Sequence, residues 1–347
     1  SMADNVALYD TLDIVPPAEN VSLPVVTPER RHANDVRFAY EDSLRKAYTS
    51  TFLDRKQAEA VCPEAADYIV KSRGNHRVIT DFINRHADNM PRVLALFKTL
   101  SDKDFRDITT EILEDNFSAK SEQLGPRVES EPVIAPFKNA LAKFFAKQAD
   151  EFRANPMKLV DWMNSNLRVS TDRLAQRIAQ TPVGALKARL TDTRSRDIFF
   201  VDAARSLGIE ARKDEVTSKV QYRQNGEWKD VSFSATTERK NAPQGKLVLT
   251  YQPTKLLDKP KYYNHFTLSK IVDGATQLLN FEEGQADMGE GSTWANTFKN
   301  GISLDEGTYL LTTGTRLADG SVLATNCIFE LKANTTTTLP LEMRTSQ

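Results

Sequence analysis

Ser195 stands at the head of the most apolar helix-like run in the chain: Ile198, Phe199, Phe200, Val201, Ala203, Ala204 and Leu207. A serine there can cap the helix by accepting a backbone N–H of the first turn, or it can serve as a nucleophile. The second use needs a base. A helix dipole supplies about 1–2 kcal/mol, roughly one pKa unit, which is far short of what ionises a hydroxyl. The four histidines are His32, His76, His86 and His265, none near Ser195 in the chain. A cysteine-independent hydrolase or peptidase would therefore need a remote imidazole, and His265 is the candidate. Arg194, Arg196 and Asp197 crowd the same helix end. With Tyr222 they form a candidate binding set, suited to a ligand carboxylate or a neighbouring domain. The plainer role of Asp197 is to stabilise the helix dipole, with Arg196 paired to it or to Asp192. Asp202 falls mid-helix among apolar residues and calls for an ion-pair partner, Arg205 or Arg212.

Other motifs are sparse. There is no P-loop, no HExxH and no GxGxxG after a strand, and no cofactor is expected. Cys62 and Cys327, the only cysteines, are read into a helix and a strand of different domains. That argues against a disulfide framework or a cysteine zinc site. Glu282-Glu283-Gly284-Gln285-Ala286-Asp287 is rich in carboxylates but lacks a regular Ca²⁺-ligand spacing. Tyr262, Tyr263, Phe266 and Trp294 read as core packing and domain contacts, with a sugar or peptide platform as the alternative. Lys plus Arg number 46 and Asp plus Glu 47, a net charge of −1. This leaves no electrostatic footprint for nucleic acid or an anionic membrane. No apolar run approaches the ~18–20 residues of a membrane span.

The elements that position these residues follow from periodicity. Residues 1–33 carry Pro16, Pro17, Pro24 and Pro28 and read as an extended lead-in. Residues 34–117 read as a helical domain. In it Asn75 is placed as an N-cap after Gly74, and Ser101-Asp102-Lys103-Asp104 resembles a capping box. A polar linker opens the next region, 118–234. One long amphipathic helix is expected over 132–154, a shorter one starts at Pro156, and 169–192 is read as irregular. The apolar helix follows from Ser195 to Leu207 and ends at Gly208. Then comes a hairpin, Val220–Tyr222 with Trp228–Val231, over Gln224-Asn225-Gly226. In residues 235–347 two further hairpins turn at Asp273-Gly274 and Asp319-Gly320, and a last strand spans 337–343. This spacing points to an antiparallel β-sandwich domain. At 347 residues the chain holds two or three domains. The fold class expected is α+β multi-domain.

The run Ala204-Arg205-Ser206-Leu207-Gly208-Ile209-Glu210-Ala211-Arg212 resembles the joint that closes the core helix of transglutaminase-like domains. Asp192–Leu207 and Gly226-Glu227-Trp228-Lys229-Asp230-Val231 resemble the elements around it. The likeness covers about residues 132–234 and implies a papain-like α+β core. Active members of that family place a Cys at the start of the core helix, a His on the following strand and an Asp on the next, so that thiolate forms beside an oriented imidazole. The corresponding positions here fall near Thr193 or Ser195, near Ser218 and near Ser232. None of the three catalytic residues is present, and 169–234 contains no Cys or His. The resemblance thus implies a degenerate member, acting as a peptide- or glycan-binding or scaffold module. It also implies an exported bacterial protein, periplasmic or at the cell surface. The Ser1-Met2 opening reads as a cloning remnant, and the chain as part of a longer protein.

Overall fold

The computed structural model describes residues 7–19, 21–170, 178–234, 241–281 and 291–345. A strand, β1 (Leu8–Ile14), and a long helix, α1 (Pro28–Thr49), come first. Six short helices follow: α2 (Arg55–Val61), α3 (Ala66–Lys71), α4 (His76–Arg85), α5 (Met90–Phe97), α6 (Asp102–Asp107) and α7 (Thr110–Ser118). The middle of the chain carries α8 (Lys138–Phe144), α9 (Ala149–Ala154), α10 (Met157–Asn166), β2 (Arg168–Val169), α11 (Pro182–Ala188), β3 (Leu190–Thr191) and α12 (Thr193–Ser206). Then come β4 (Ala211–Lys213), β5 (Val220–Gln224) and β6 (Glu227–Asp230). The last third holds β7 (Gln244–Thr250), β8 (Phe266–Val272), β9 (Ala275–Leu278), α13 (Trp294–Thr297), β10 (Ile302–Asp305), β11 (Gly307–Arg316), β12 (Val322–Leu331) and β13 (Thr336–Pro340). The chain is mixed α+β with several sheets. No helix among the described residues is long and apolar enough to cross a membrane.

Two compact units form. The first comprises Ser22–Asp214 and Lys219–Arg239. It has one core built from α2–α7, with Ile79, Phe82, Phe97 and Leu113 at its centre, and another built around α12. Phe199, Phe200, Val201, Ala203 and Ala204 of α12 are all fully buried, as an all-apolar helix must be. Around α12 stand α8, α10, α11 and the antiparallel β4-β5-β6 sheet. Gly208, at φ +81, ends this helix where an L side chain would be strained.

The second unit comprises Ser1–Val21, Glu215–Ser218 and Lys240–Gln347. A five-stranded sheet, ordered β1-β12-β11-β8-β9, and a three-stranded sheet, β10-β7-β13, bury one common core. Leu247 and Leu249 of β7 meet Leu268 of β8, Leu311 of β11 and Phe329 of β12 there. Strand β13 lies parallel to β7, and the other pairings between named strands among the described residues of this unit are antiparallel.

Several local expectations need correction. Residues 8–14, within the expected lead-in, form β1 on the edge of the five-stranded sheet, and α1 begins at Pro28 with Thr27 as its cap. The helix expected over 132–154 is two helices, α8 and α9. Pro136 forbids an earlier start, because the residue before a proline is pushed out of the helical region. Pro156 is the N-cap of α10 instead of its first residue. The stretch 169–192, read as irregular, contains α11, capped by Thr181 with Pro182 at its first position, and the short β2–β3 pair. Asn75 makes no capping bond. Its Nδ2 instead donates to Phe105 O and Ile108 O, both at 3.0 Å, tying α4 to α6. Cys62 lies just past α2 in extended backbone, outside the helix. The capping box at Ser101–Asp104 forms as expected.

Candidate functional site

The N-terminus of α12 is built by Asp192, not Ser195. Asp192 Oδ1 accepts the Ser195 N–H at 2.7 Å, so the carboxylate is the cap, and it sits where the helix dipole favours negative charge. The Ser195 hydroxyl donates to Asp192 Oδ2 at 3.0 Å and accepts the Gln180 N–H at 3.0 Å. At 1 % exposure it has no open face. Thr193, two residues earlier, is exposed.

Arg194, Arg196 and Asp197 are brought together, but onto each other. Arg196 donates to Asp197 Oδ1 at 3.1 and 2.9 Å while its guanidinium carbon lies 3.9 Å from the centre of the Phe233 ring. Lys213 Nζ is 2.8 Å from Glu129 Oε2 and 3.9 Å from Asp197 Oδ2. Arg194 closes the set on Glu129 and on Ser130 Oγ at 3.3 Å. Burial pushes the Asp197 carboxyl up against the pull of Arg196 and Lys213. Burial also raises Glu129, but the bonds from Lys213 and Arg194 reverse that and hold it below the usual range. Every charge in this group already has a partner, so the arrangement ties the 129–130 segment to α12 and β4. Glu129 and Lys213, which complete it, carry no local signal in the sequence.

Tyr222 is not part of this face. Its side chain points from β5 into the core and is 1 % exposed. Ser232 is buried, with its Oγ 3.1 Å from Ser234 Oγ. Ser218 is exposed at φ +61 in the 215–218 loop, which clusters with the second unit.

Asp202 also departs from expectation, because neither arginine pairs with it. Arg205 Nε donates to Ala211 O and its Nη1 to Arg127 O, both at 2.9 Å. Arg212 bonds Gln221 Oε1 at 2.9 Å and lies 4.1 Å from the Trp228 ring centre. Backbone carbonyls thus claim the Arg205 guanidinium, and the Gln221 amide oxygen, the Trp228 face and Asp214 at 3.8 Å claim that of Arg212. Asp202 Oδ1 has no hydrogen-bond partner. Burial first, then Glu131, pushes its carboxyl well above the usual range, against the pull of Arg205 and Lys138. Nearby, Lys138 has no exposed surface, and its Nζ donates to Gln123 O at 2.7 Å. Burial pulls this lysine down to about 7, helped by the charge of Arg205.

The second unit holds a cavity of about 890 Å³ at one end of its two sheets, and His265 lines it. His265 Nδ1 accepts the Lys261 N–H at 2.9 Å, so the neutral ring carries its proton on Nε2. Burial pulls this imidazole below its ordinary value. His76 Nε2 is 3.0 Å from Thr51 O and His86 Nε2 is 2.8 Å from Glu114 Oε2, so both rings are engaged elsewhere. Core packing, not an aromatic platform, is what these rings form. Tyr262, Phe266 and Trp294 are buried, the Tyr262 hydroxyl is bonded to Leu268 and Leu279, and Trp294 Nε1 donates to Leu249 O. Among the described residues no group of three or more His, Cys, Asp or Glu is placed to hold a metal ion. The carboxylate run at 282–287 lies outside the described residues.

Comparison with family models, with curated proteins and with solved structures finds no match to this chain.

Proposed function

We propose that this chain is a non-catalytic binding or scaffold module, built on a degenerate transglutaminase-like core and a β-sandwich, within a longer exported bacterial protein of the periplasm or cell surface. A buried helix followed by an antiparallel three-stranded sheet supports the transglutaminase-like reading, because α12 and β4–β6 stand in the order the resemblance implies. Two sheets over one core support the sandwich reading. The ligand class that fits this reading is peptide or glycan.

The observation that carries the non-catalytic part is the state of Ser195. Its hydroxyl is buried, and its two bonds run to a carboxylate that caps the helix and to a backbone N–H. A nucleophile needs a base that takes its proton and an open approach to a carbonyl carbon, and this hydroxyl has neither an imidazole partner nor exposure. The test is labelling of the native chain with a fluorophosphonate probe, together with turnover of fluorogenic ester and amide substrates. The expected result is no labelling and no turnover. Ser195→Ala should lose about 1–2 kcal/mol of stability, because a buried N–H and a carboxylate each lose a partner. Probe labelling that disappears in Ser195→Ala would overturn the reading.

A further inference from the structure

We propose that the cavity in the second unit is a binding site for a short peptide with free termini and an apolar central side chain. The proposal is independent of whether the α12 region is catalytic. At about 890 Å³ the cavity lies within the range of small-ligand sites. Tyr251, Leu257, Leu317, Leu341 and Met343 form its apolar wall. Tyr251 is held in place by its hydroxyl, which donates to Leu257 O at 2.7 Å, and by an edge contact with Trp294 at 5.7 Å. The wall therefore exists before any ligand arrives, which lowers the ordering cost of binding.

The charges around that wall decide the ligand. Arg316 and Glu342 both line the cavity. Among the described residues neither side chain has an ion-pair or hydrogen-bond partner, whereas the neighbouring Arg344 is paired to Asp13 at 2.7 Å. Thr313 Oγ1 donates to Glu342 O at 2.6 Å, which places the Glu342 backbone beside Thr313 of β11. Arg316 stands three residues further along that strand, its Cα about 10 Å from that of Thr313 at the rise of a β-strand, and the flexible Arg316 and Glu342 side chains set the span between the two charges. An extended tripeptide spans at most about 10 Å. Its amino group matches Glu342, its carboxylate matches Arg316, and a central aliphatic side chain matches the wall. His265 adds an Nε2–H donor, and the Asn264 amide lies next to it on the cavity lining. These groups suit the peptide's carbonyl oxygens. A neutral glycan fits less well. Its recognition rests on open aromatic faces, and the wall has one aromatic ring among four aliphatic side chains.

The test is calorimetric titration of the full chain with Ala-Leu-Ala, its N-acetylated form and its C-amidated form, with maltotriose as the glycan probe. The expected result is saturable binding of the free tripeptide, weakened at least fivefold by either cap, and no binding of maltotriose. Arg316→Gln should abolish the penalty of amidation while keeping that of acetylation, and Glu342→Gln should do the reverse. Both side chains are exposed, so these variants keep the fold. Leu317→Trp, which sets a bulky indole into the apolar wall where the central side chain would sit, should weaken binding at least fivefold without lowering the melting temperature. Failure of the tripeptide to bind at 10 mM overturns the proposal. So does binding that ignores both caps and both charge variants, or binding of maltotriose in preference to the tripeptide.

Discussion

Asp115 is the residue whose loss should damage the first unit most for its size. It lies on α7, 7 % exposed, and its carboxylate reaches across to the start of α8. Oδ2 accepts the N–H groups of Phe137 and Lys138, each at 2.8 Å, and Oδ1 accepts that of Asn139 at 3.0 Å. Helix α8 has no side-chain cap of its own, so one carboxylate from a distant helix satisfies three of its orphan donors. It also places a negative charge at the positive end of the helix dipole. A hydrogen bond to a charged group contributes about 1.5–3 kcal/mol, and the three share one anion, so their values do not add. Asp115→Ala should therefore cost about 3–5 kcal/mol, at the upper end of single substitutions. Asp115→Asn keeps one acceptor oxygen and should cost about half of that. Two readouts locate the effect. Urea unfolding followed through Trp162, which packs on Phe145 and Phe199, reports the midpoint of the core around α12. Amide exchange at 137–139 reports the cap itself and should accelerate by about 100-fold for ~3 kcal/mol. Asp150→Ala, at a fully exposed carboxylate paired with Arg153, serves as the control and should change neither. A loss below about 1 kcal/mol in Asp115→Ala, or unchanged exchange at 137–139, would refute the argument that α8 is capped from outside.

The Asp104 carboxylate is raised by burial, but the Arg127 bonds at 2.5 and 2.6 Å and the Ser101 N–H leave it net below its ordinary value. Its stabilisation is therefore present above the unfolded carboxylate value of about 3.9 and is lost as pH falls through the lower folded value. In acid titrations of stability, Asp104→Asn should sit below wild type at pH 7 and converge on it at pH 2. Lys138, pulled down to about 7, binds fewer protons when folded than when unfolded. Stability relative to Lys138→Met should thus rise between about pH 7 and 10, by up to ~1.4 kcal/mol per pH unit, and a flat difference across that window would refute this. A Cβ on Gly245 would meet the Lys332 carbonyl oxygen at 2.4 Å, so Gly245→Ala should cost about 2–3 kcal/mol of the second unit's stability in denaturant unfolding.

Part of this architecture was legible in the sequence because it is local. Asn225-Gly226 and Asp273-Gly274 announce their hairpins because tight two-residue turns need positive φ at both positions. The residues adopt +52 and +82 in the first, and +51 and +74 in the second. The run Ile198–Leu207 announces a buried helix because no face of it tolerates water. The absence of Cys and His from 169–234 was equally plain, and with it the absence of the thiol chemistry that the resemblance would carry. The short apolar run Leu247-Val248-Leu249 is a weaker signal for β7, because periodicity alone does not separate a buried strand from a piece of buried helix.

The rest is decided by residues far apart in the chain. Ser195, Asp192 and Gln180 are all plausible caps or ligands by type. Only the path of 178–181 past the start of α12 places the Gln180 N–H on the Ser195 hydroxyl and leaves the cap to Asp192. Asp115 meets 137–139, Arg127 meets Asp104, and β13 joins β7 in parallel, for a shared reason. A buried donor, acceptor or strand edge must be satisfied by whatever tertiary packing brings within reach, and no short window of sequence contains the partner. The cavity arises in the same way, from the ends of β7, β11 and β13 and the segment before β8. Composition and periodicity thus determined the buried α12 and the hairpin turns, because those signals are local, while burial of common cores decided which side chains are closed on themselves and which are left open.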